Sequence, residues 1–195
     1  MKALVLFVLA ALSFQTAIAQ EINAVSEIGD HYSLFTFEKN ENPENILILY
    51  TKLDNNCQVM EEAGAPVFDM YWMMNRQRYK PTNSLIKSGI KDRLQLQAAN
   101  GANGFYVVLN DLKEVKSDLK DAKLSVIAEK HQGKCRLRSL FTLGPSDNNA
   151  TIQIQSIYSE ATKTLVPPFR KLKSVTLNGI NVLTGAKVSR TYPAK

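Results

Sequence analysis

LSVIAEKHQGKCRLRSLFTL, residues 124–143, alternates apolar and polar side chains on both sides of His131-Gln132-Gly133. Leu124, Val126 and Ala128 fall on one face of an extended chain, with Ser125, Ile127 and Glu129 on the other. Beyond the turn, Cys135, Leu137, Phe141 and Leu143 resume an apolar face, and Lys134, Arg136 and Arg138 share the opposite one. A period of two is the signature of a strand. Two such runs joined by a short Gly-containing turn predict an antiparallel hairpin. The cationic face suits a sheet with one wet side. It does not suit an outer-membrane barrel, whose strands of about ten residues carry an unbroken lipid-facing band.

Working outward, the same signals recur. YSLFTF (32–37) and ILILYTKL (46–53) read as two strands around a turn-rich EKNENPEN. The unbroken ILILY run predicts burial on both faces. PVFDMYWMM (66–74) is a third strand, with Pro66 at its first position, where a lost donor matters least. Ser84 to Arg93 carries the one helical signal, from Leu85, Ile86, Ile90 and the following Leu94. FYVVL (105–109) is a strand; Asn110 to Asp121 is polar and lysine-rich, hence a loop or an exposed helical turn. Ala150 to Tyr158 alternates, Leu172 to Leu177 is a strand, Asn178-Gly179 reads as a tight turn, and Lys187 to Thr191 ends the series. The expectation is an all-β antiparallel sandwich or partly closed barrel of about 7–9 strands with one short helix.

The N-terminus carries Lys2, an apolar run from Ala3 to Phe14, and Ala17-Ile18-Ala19. That pattern predicts a secretory signal peptide over residues 1–19, cleaved before Gln20, and a single β-rich domain over 20–195. The run is shorter than the roughly 20 residues a transmembrane helix needs, so the mature chain is expected to have no transmembrane span. The expected location is exported, periplasmic or extracellular. Cys57 and Cys135 would sit in an oxidising compartment, where they pair or lie separately buried as thiols. A disulfide closing that loop would stabilise by about 4–5 kcal/mol on the chain-entropy model.

The formal net charge is +6, with acids and bases reading as interspersed along the chain. A mild basic excess favours anionic partners such as an acidic glycan, a lipid headgroup or an envelope protein. Nucleic acid is not expected, since no reader motif is present. No nucleophile elbow, metalloprotease helix or phosphate-binding glycine loop occurs. His31 and His131 lack zinc-ligand spacing. Met60, Met70, Met73 and Met74 could supply thioethers to copper, but core filling accounts for them better, because Met73 and Met74 point to opposite faces of a strand. No catalytic residue, metal or cofactor is therefore predicted. Asn149-Ala150-Thr151 fits a glycosylation acceptor in a host that makes that modification.

Within the third strand, alternation puts Phe68, Met70, Trp72 and Met74 on a core face, and Val67, Asp69, Tyr71 and Met73 on a wetter one. Arg76, Arg78 and Lys80 follow at the strand's exit. Tyr71 and Asp69 with Arg76 and Arg78 form the candidate binding site, because guanidinium groups beside an aromatic ring hold carboxylates or sulfates.

LFTFEKNEN (34–42), PVFDMYW (66–72) and the helical stretch after them resemble an uncharacterised family of bacterial exported proteins, one of the domain-of-unknown-function groups. Its members pair a strand ending in an Asn-x-Asn loop with a strand that opens on Pro-Val and ends on Tyr-Trp, then a helix. They close on a Gly-rich strand segment, which LNGINVLTG (177–185) resembles. Where the family has an aromatic-Gly pair after the helix, this chain has RLQLQAANG (93–101). The resemblance marks Asn40, Asn42, Pro66, Tyr71 and Trp72 as motif positions and brings no activity with it. The expected function is a non-enzymatic ligand- or surface-binding module of the envelope. The alternatives are a hydrolase-like envelope enzyme using scattered carboxylates such as Asp30, Glu38 and Asp69, or a structural or adhesion protein.

Overall fold

A computed structural model of the chain describes residues 27–28, 31–38, 45–74, 77–79, 94–98, 103–116, 119, 123–163 and 170–195. Its strands are β1 (Glu27–Ile28), β2 (His31–Glu38), β3 (Asn45–Lys52), β4 (Glu61–Glu62), β5 (Ala65–Pro66), β6 (Asp69–Met74) and β7 (Gln77–Tyr79). They continue as β8 (Leu94–Ala98), β9 (Gly104–Leu109), β10 (Lys123–His131), β11 (Lys134–Thr142), β12 (Thr151–Lys163), β13 (Arg170–Asn181) and β14 (Lys187–Pro193). The fold is all-β. No helix of seven or more residues occurs among the described residues, and eight strands of the main sheet curl into a half-barrel. The helix expected over Ser84 to Arg93 lies outside the described residues.

The topology turns on β12. One edge of this long strand pairs antiparallel with β13 from Ile152 to Lys163. The other edge is shared: Thr151 to Gln153 pair with β11, and Ser156 to Tyr158 pair with β2. Two wings therefore spread from one spine, β2-β3-β6-β7 on one side and β11-β10-β9-β8 on the other. The β2–β12 pairing is parallel, which corrects the expectation of a purely antiparallel sheet. Hairpin signals are local, whereas this contact joins segments far apart in the chain.

The wings close on each other through apolar faces. Phe35, Phe37, Leu47, Leu49 and Met70 from one meet Phe105, Val107, Leu124, Val126 and Phe141 from the other, with Ile152, Ile154 and Ile157 of the spine between them. Phe68 meets Phe105 edge-on, ring centroids 6.4 Å apart. Each fully buried side chain of this size contributes about 1.5–3 kcal/mol of transfer free energy. Two polar devices staple the wings. Cys57, after β3, is joined to Cys135 at the start of β11, Cα atoms 5.1 Å apart. Asn103 donates to the carbonyls of Cys57 (2.6 Å) and Ala128 (3.0 Å) and accepts from the Val59 amide (3.0 Å).

Several local expectations change. β6 begins at Asp69. Pro66 instead belongs to a two-residue strand paired with β4, and the Val67 carbonyl accepts the Thr51 hydroxyl at 2.6 Å. Leu94 opens the strand LQLQA and does not extend a helix. The lysine-rich connection after β9 makes a 3-10 turn, Asn110–Glu114, that buries Leu112 and Val115. Asn178-Gly179 is no turn, since β13 runs through it to Asn181. A side chain at Gly179 would overlap the Gln153 carbonyl oxygen, so the glycine is there for close strand approach.

Candidate functional site

The Tyr71 side of the expected site on β6 does not open to solvent. Tyr71 does lie on the face opposite the main core, as alternation predicts. On that face, however, it is 7% exposed, packed with Ile48 and Tyr50 in a second apolar cluster. The ILILY run explains this: a strand buried on both faces covers the neighbour on which it is registered, and Ile48 pairs with Tyr71. The His31, Tyr50 and Tyr71 rings form a chain, with centroids 4.3 Å and then 5.7 Å apart. The Tyr50 hydroxyl donates to Asp69 Oδ2 at 3.4 Å, and Asp69 Oδ1 accepts the Met70 amide at 2.8 Å. An anion arriving here would meet a carboxylate already in place.

The other named positions are dispersed. Trp72 is partly buried against the main core. Arg78 stands opposite Met73 in the β6–β7 pair. Arg76, Asn40, Asn42 and Asp30 lie outside the described residues, and Glu38 ends β2. Met70 is core and Met60 is exposed. Among the described residues, no three His, Cys, Asp or Glu side chains stand where they could hold a metal ion. No helix among them is long and apolar enough to cross a membrane.

A different arrangement emerges once the strands are assembled. Residues 123–195, which build β10 to β14, carry twelve Lys and Arg against three Asp and Glu. Residues 1–122 carry twelve against fifteen. The charges are thus not interspersed: the cation excess lies in the C-terminal part of the chain, which supplies β10 and β11 of one wing, the spine β12, and β13 and β14 beside it. Two of the three acids in the basic half are already paired: Glu160 Oε1 accepts Lys173 Nζ at 2.9 Å, and Asp147 takes Arg190. The hydrogen bond and charge of Lys173 hold the Glu160 carboxyl below its ordinary range. Lys123, Lys134, Arg136, Arg138 and Lys187 form no ion pair among the described residues.

The hairpin first read from sequence forms the middle of this wing. Gln132 and Gly133 both take positive φ, +50° and +79°, as a two-residue turn between right-twisted strands requires. Strand register then lays out the outer face. One row crosses Gln97, Tyr106, Ser125, Leu140, Gln153 and Ile180. The next holds Gly104, Ile127 and Arg138. Lys123 Nζ lies 5.8 Å from the centre of the Tyr106 ring, which is 37% exposed. Arg138 is half-buried, its Nε is sealed from solvent, and that nitrogen has no hydrogen-bond acceptor. Counting charge by half would have located this wing in the sequence. The pairing of rows across six strands has no such local signal.

Neither a protein-family model, nor a curated protein, nor a solved structure matches the chain.

Proposed function

We propose that this chain is an exported β-domain of the cell envelope, of the uncharacterised family it resembles, and that it binds an anionic ligand or surface rather than transforming a substrate. The observation that carries the reading is the basic half of the chain: twelve cations against three acids over residues 123–195, with Lys123, Lys134, Arg136, Arg138 and Lys187 lacking anionic partners among the described residues. Concentrated unpaired cations cost self-repulsion that a counter-anion relieves, and their field steers anions toward the sheet. The Cys57–Cys135 link and the leader-like N-terminus agree with an oxidising, exported setting. The site moves accordingly, from the Tyr71 and Arg76 neighbourhood to the opposite wing.

The test is retention of residues 20–195 on dextran sulfate and on unmodified dextran across a salt series. Retention on the sulfated matrix alone, falling as salt rises, is the expected result, because exposed charge contacts are screened within about 10 Å at 0.1 M salt. Charge reversal at Lys134 and Arg136 should weaken it. No retention on either matrix at low salt would overturn the reading.

A further inference from the structure

We infer that the outer face of β9, β10, β11 and β12 is a binding platform for a linear acidic glycan, centred on Tyr106 and Arg138; this rests on the anion-binding reading above. Four features of one sheet face carry it.

The first is the ring. Tyr106 is the one large aromatic side chain among the described residues that is exposed on this wing, and it stands in mid-sheet, not at a loop tip. A rigid tyrosine offers an apolar face at small entropic cost and a hydroxyl at its end. The faces of a sugar ring, C–H on one side and hydroxyl at the rim, match those two properties.

The second is the cation without an acceptor. Arg138 is held on the sheet with Nε buried and unpaired. A donor in that state has lost water and gained nothing. With Nε buried, the other nitrogens of this half-buried guanidinium offer a carboxylate the planar two-point contact that a lysine cannot make. Lys123, beside the Tyr106 ring, adds a second positive charge on the other side of the same row.

The third is relief. Gly104 lies two residues before Tyr106 and shares its face, in the row that leads to Arg138. A Cβ there would overlap the Val126 carbonyl oxygen, so no side chain can fill the place. The face is therefore low beside the Tyr106 ring on β9, and Ile127 of β10 stands between that low place and Arg138.

The fourth is the amide pair. Gln97 and Gln153 lie in the Tyr106 row on either side of it. Three strand spacings separate Tyr106 from Gln153, about 14 Å, room for a short oligosaccharide whose hydroxyls can meet amide donors and acceptors. A lipid surface fits this face less well. Its insertion would need apolar side chains standing out of the sheet. Among the described residues the most exposed large apolar side chain, Leu183, is at the tip of the β13–β14 connection instead.

The experiment is calorimetric titration of residues 20–195 with oligogalacturonate, with a neutral galactan oligosaccharide, and with vesicles of phosphatidylglycerol. The proteins are wild type, Tyr106→Leu, Arg138→Gln, and a Lys171→Gln/Lys195→Gln double variant placed on β13 and at the C-terminus, away from the five unpaired cations. Tyr106→Leu keeps an apolar side chain on the sheet, and thermal unfolding of each variant identifies any loss of fold. The expected result is oligogalacturonate binding weakened about 10- to 100-fold by Arg138→Gln and about 10-fold by Tyr106→Leu, with the double variant near wild type and the neutral sugar weak throughout. If the uronide binds but only the double variant loses it, the platform is wrong and the anion-binding reading stands. Binding to vesicles without binding to the uronide also overturns the platform while keeping that reading. If no anionic probe binds, both fall.

Discussion

At the scale of single residues, burial decides more than residue type. Trp72 sits on the core face as alternation demands, yet it is only partly buried, while Phe105 across the interior is sealed. Phe105→Ala should therefore cost about 3–5 kcal/mol, and Trp72→Ala should cost less. Urea titration of the two variants reads the order, and a larger loss at Trp72 would contradict it. Glu160 offers a second test. Lys173 holds its carboxyl below the ordinary value of 4.5, so the folded form binds its proton more weakly than the unfolded chain does. The stabilisation is then complete above the unfolded pKa and disappears as pH falls through the lowered folded value. Both partners are about half-exposed, so solvent screening keeps the effect small. Carboxyl NMR titration should show Glu160 low in the wild type and back in the ordinary Glu range in Lys173→Gln. Equal values in the two proteins would exclude Lys173 as the cause.

At the scale of elements, strands were legible wherever alternation was clean. The β10–β11 hairpin, the β2–β3 pair and the doubly buried ILILY run all stand where the residues place them. Turn chemistry misled at Asn178-Gly179 because glycine serves two ends. There it lets β12 and β13 approach, and the Asn178 amide donates to Ser156 Oγ at 3.1 Å while its Oδ1 accepts the Ser189 hydroxyl at 2.7 Å. Gly179→Ala should destabilise by about 1–3 kcal/mol through forced strand separation. A turn glycine at negative φ would lose almost nothing, so thermal unfolding distinguishes the two roles. The short strand at Leu94 was hidden by an apparent helical period that its first residue completes. Tyr71 is dry although alternation places it opposite the core, because alternation sets which face a residue occupies and not what covers that face. Between elements, the disulfide and Asn103 act at the same place. A Cys57→Ser/Cys135→Ser variant should lose about 4–5 kcal/mol on the entropic model, and Asn103→Ala about 1–3 kcal/mol for three stranded partners. Guanidinium denaturation checks both, and a change below 1 kcal/mol in the disulfide variant would mean that the wings hold without their link.

At the scale of the whole molecule, the two wings divide labour: one buries aromatic side chains on both faces, and the other displays cations and amides. The cation excess can be counted along the sequence, but which face displays it follows only from the strand order. The fork at β12 was not legible at all, because no local pattern announces that one strand edge will serve two neighbours. The fork also sets an order of events. The Thr36 hydroxyl donates to the Gln155 carbonyl 119 positions later, and β2 has β12 as its neighbour on the side away from β3. The edge of β2 from Thr36 to Glu38 thus has no β12 partner until the final third of the chain is made. High contact order of this kind slows folding and favours holding factors over spontaneous collapse. A chain truncated after residue 143 should show no cooperative thermal transition, whereas a sharp transition in that fragment would mean that the two wings mature without β12. A late keystone strand keeps a newly made polypeptide loose for as long as it is still being delivered, which is the state in which a chain can be threaded through a membrane.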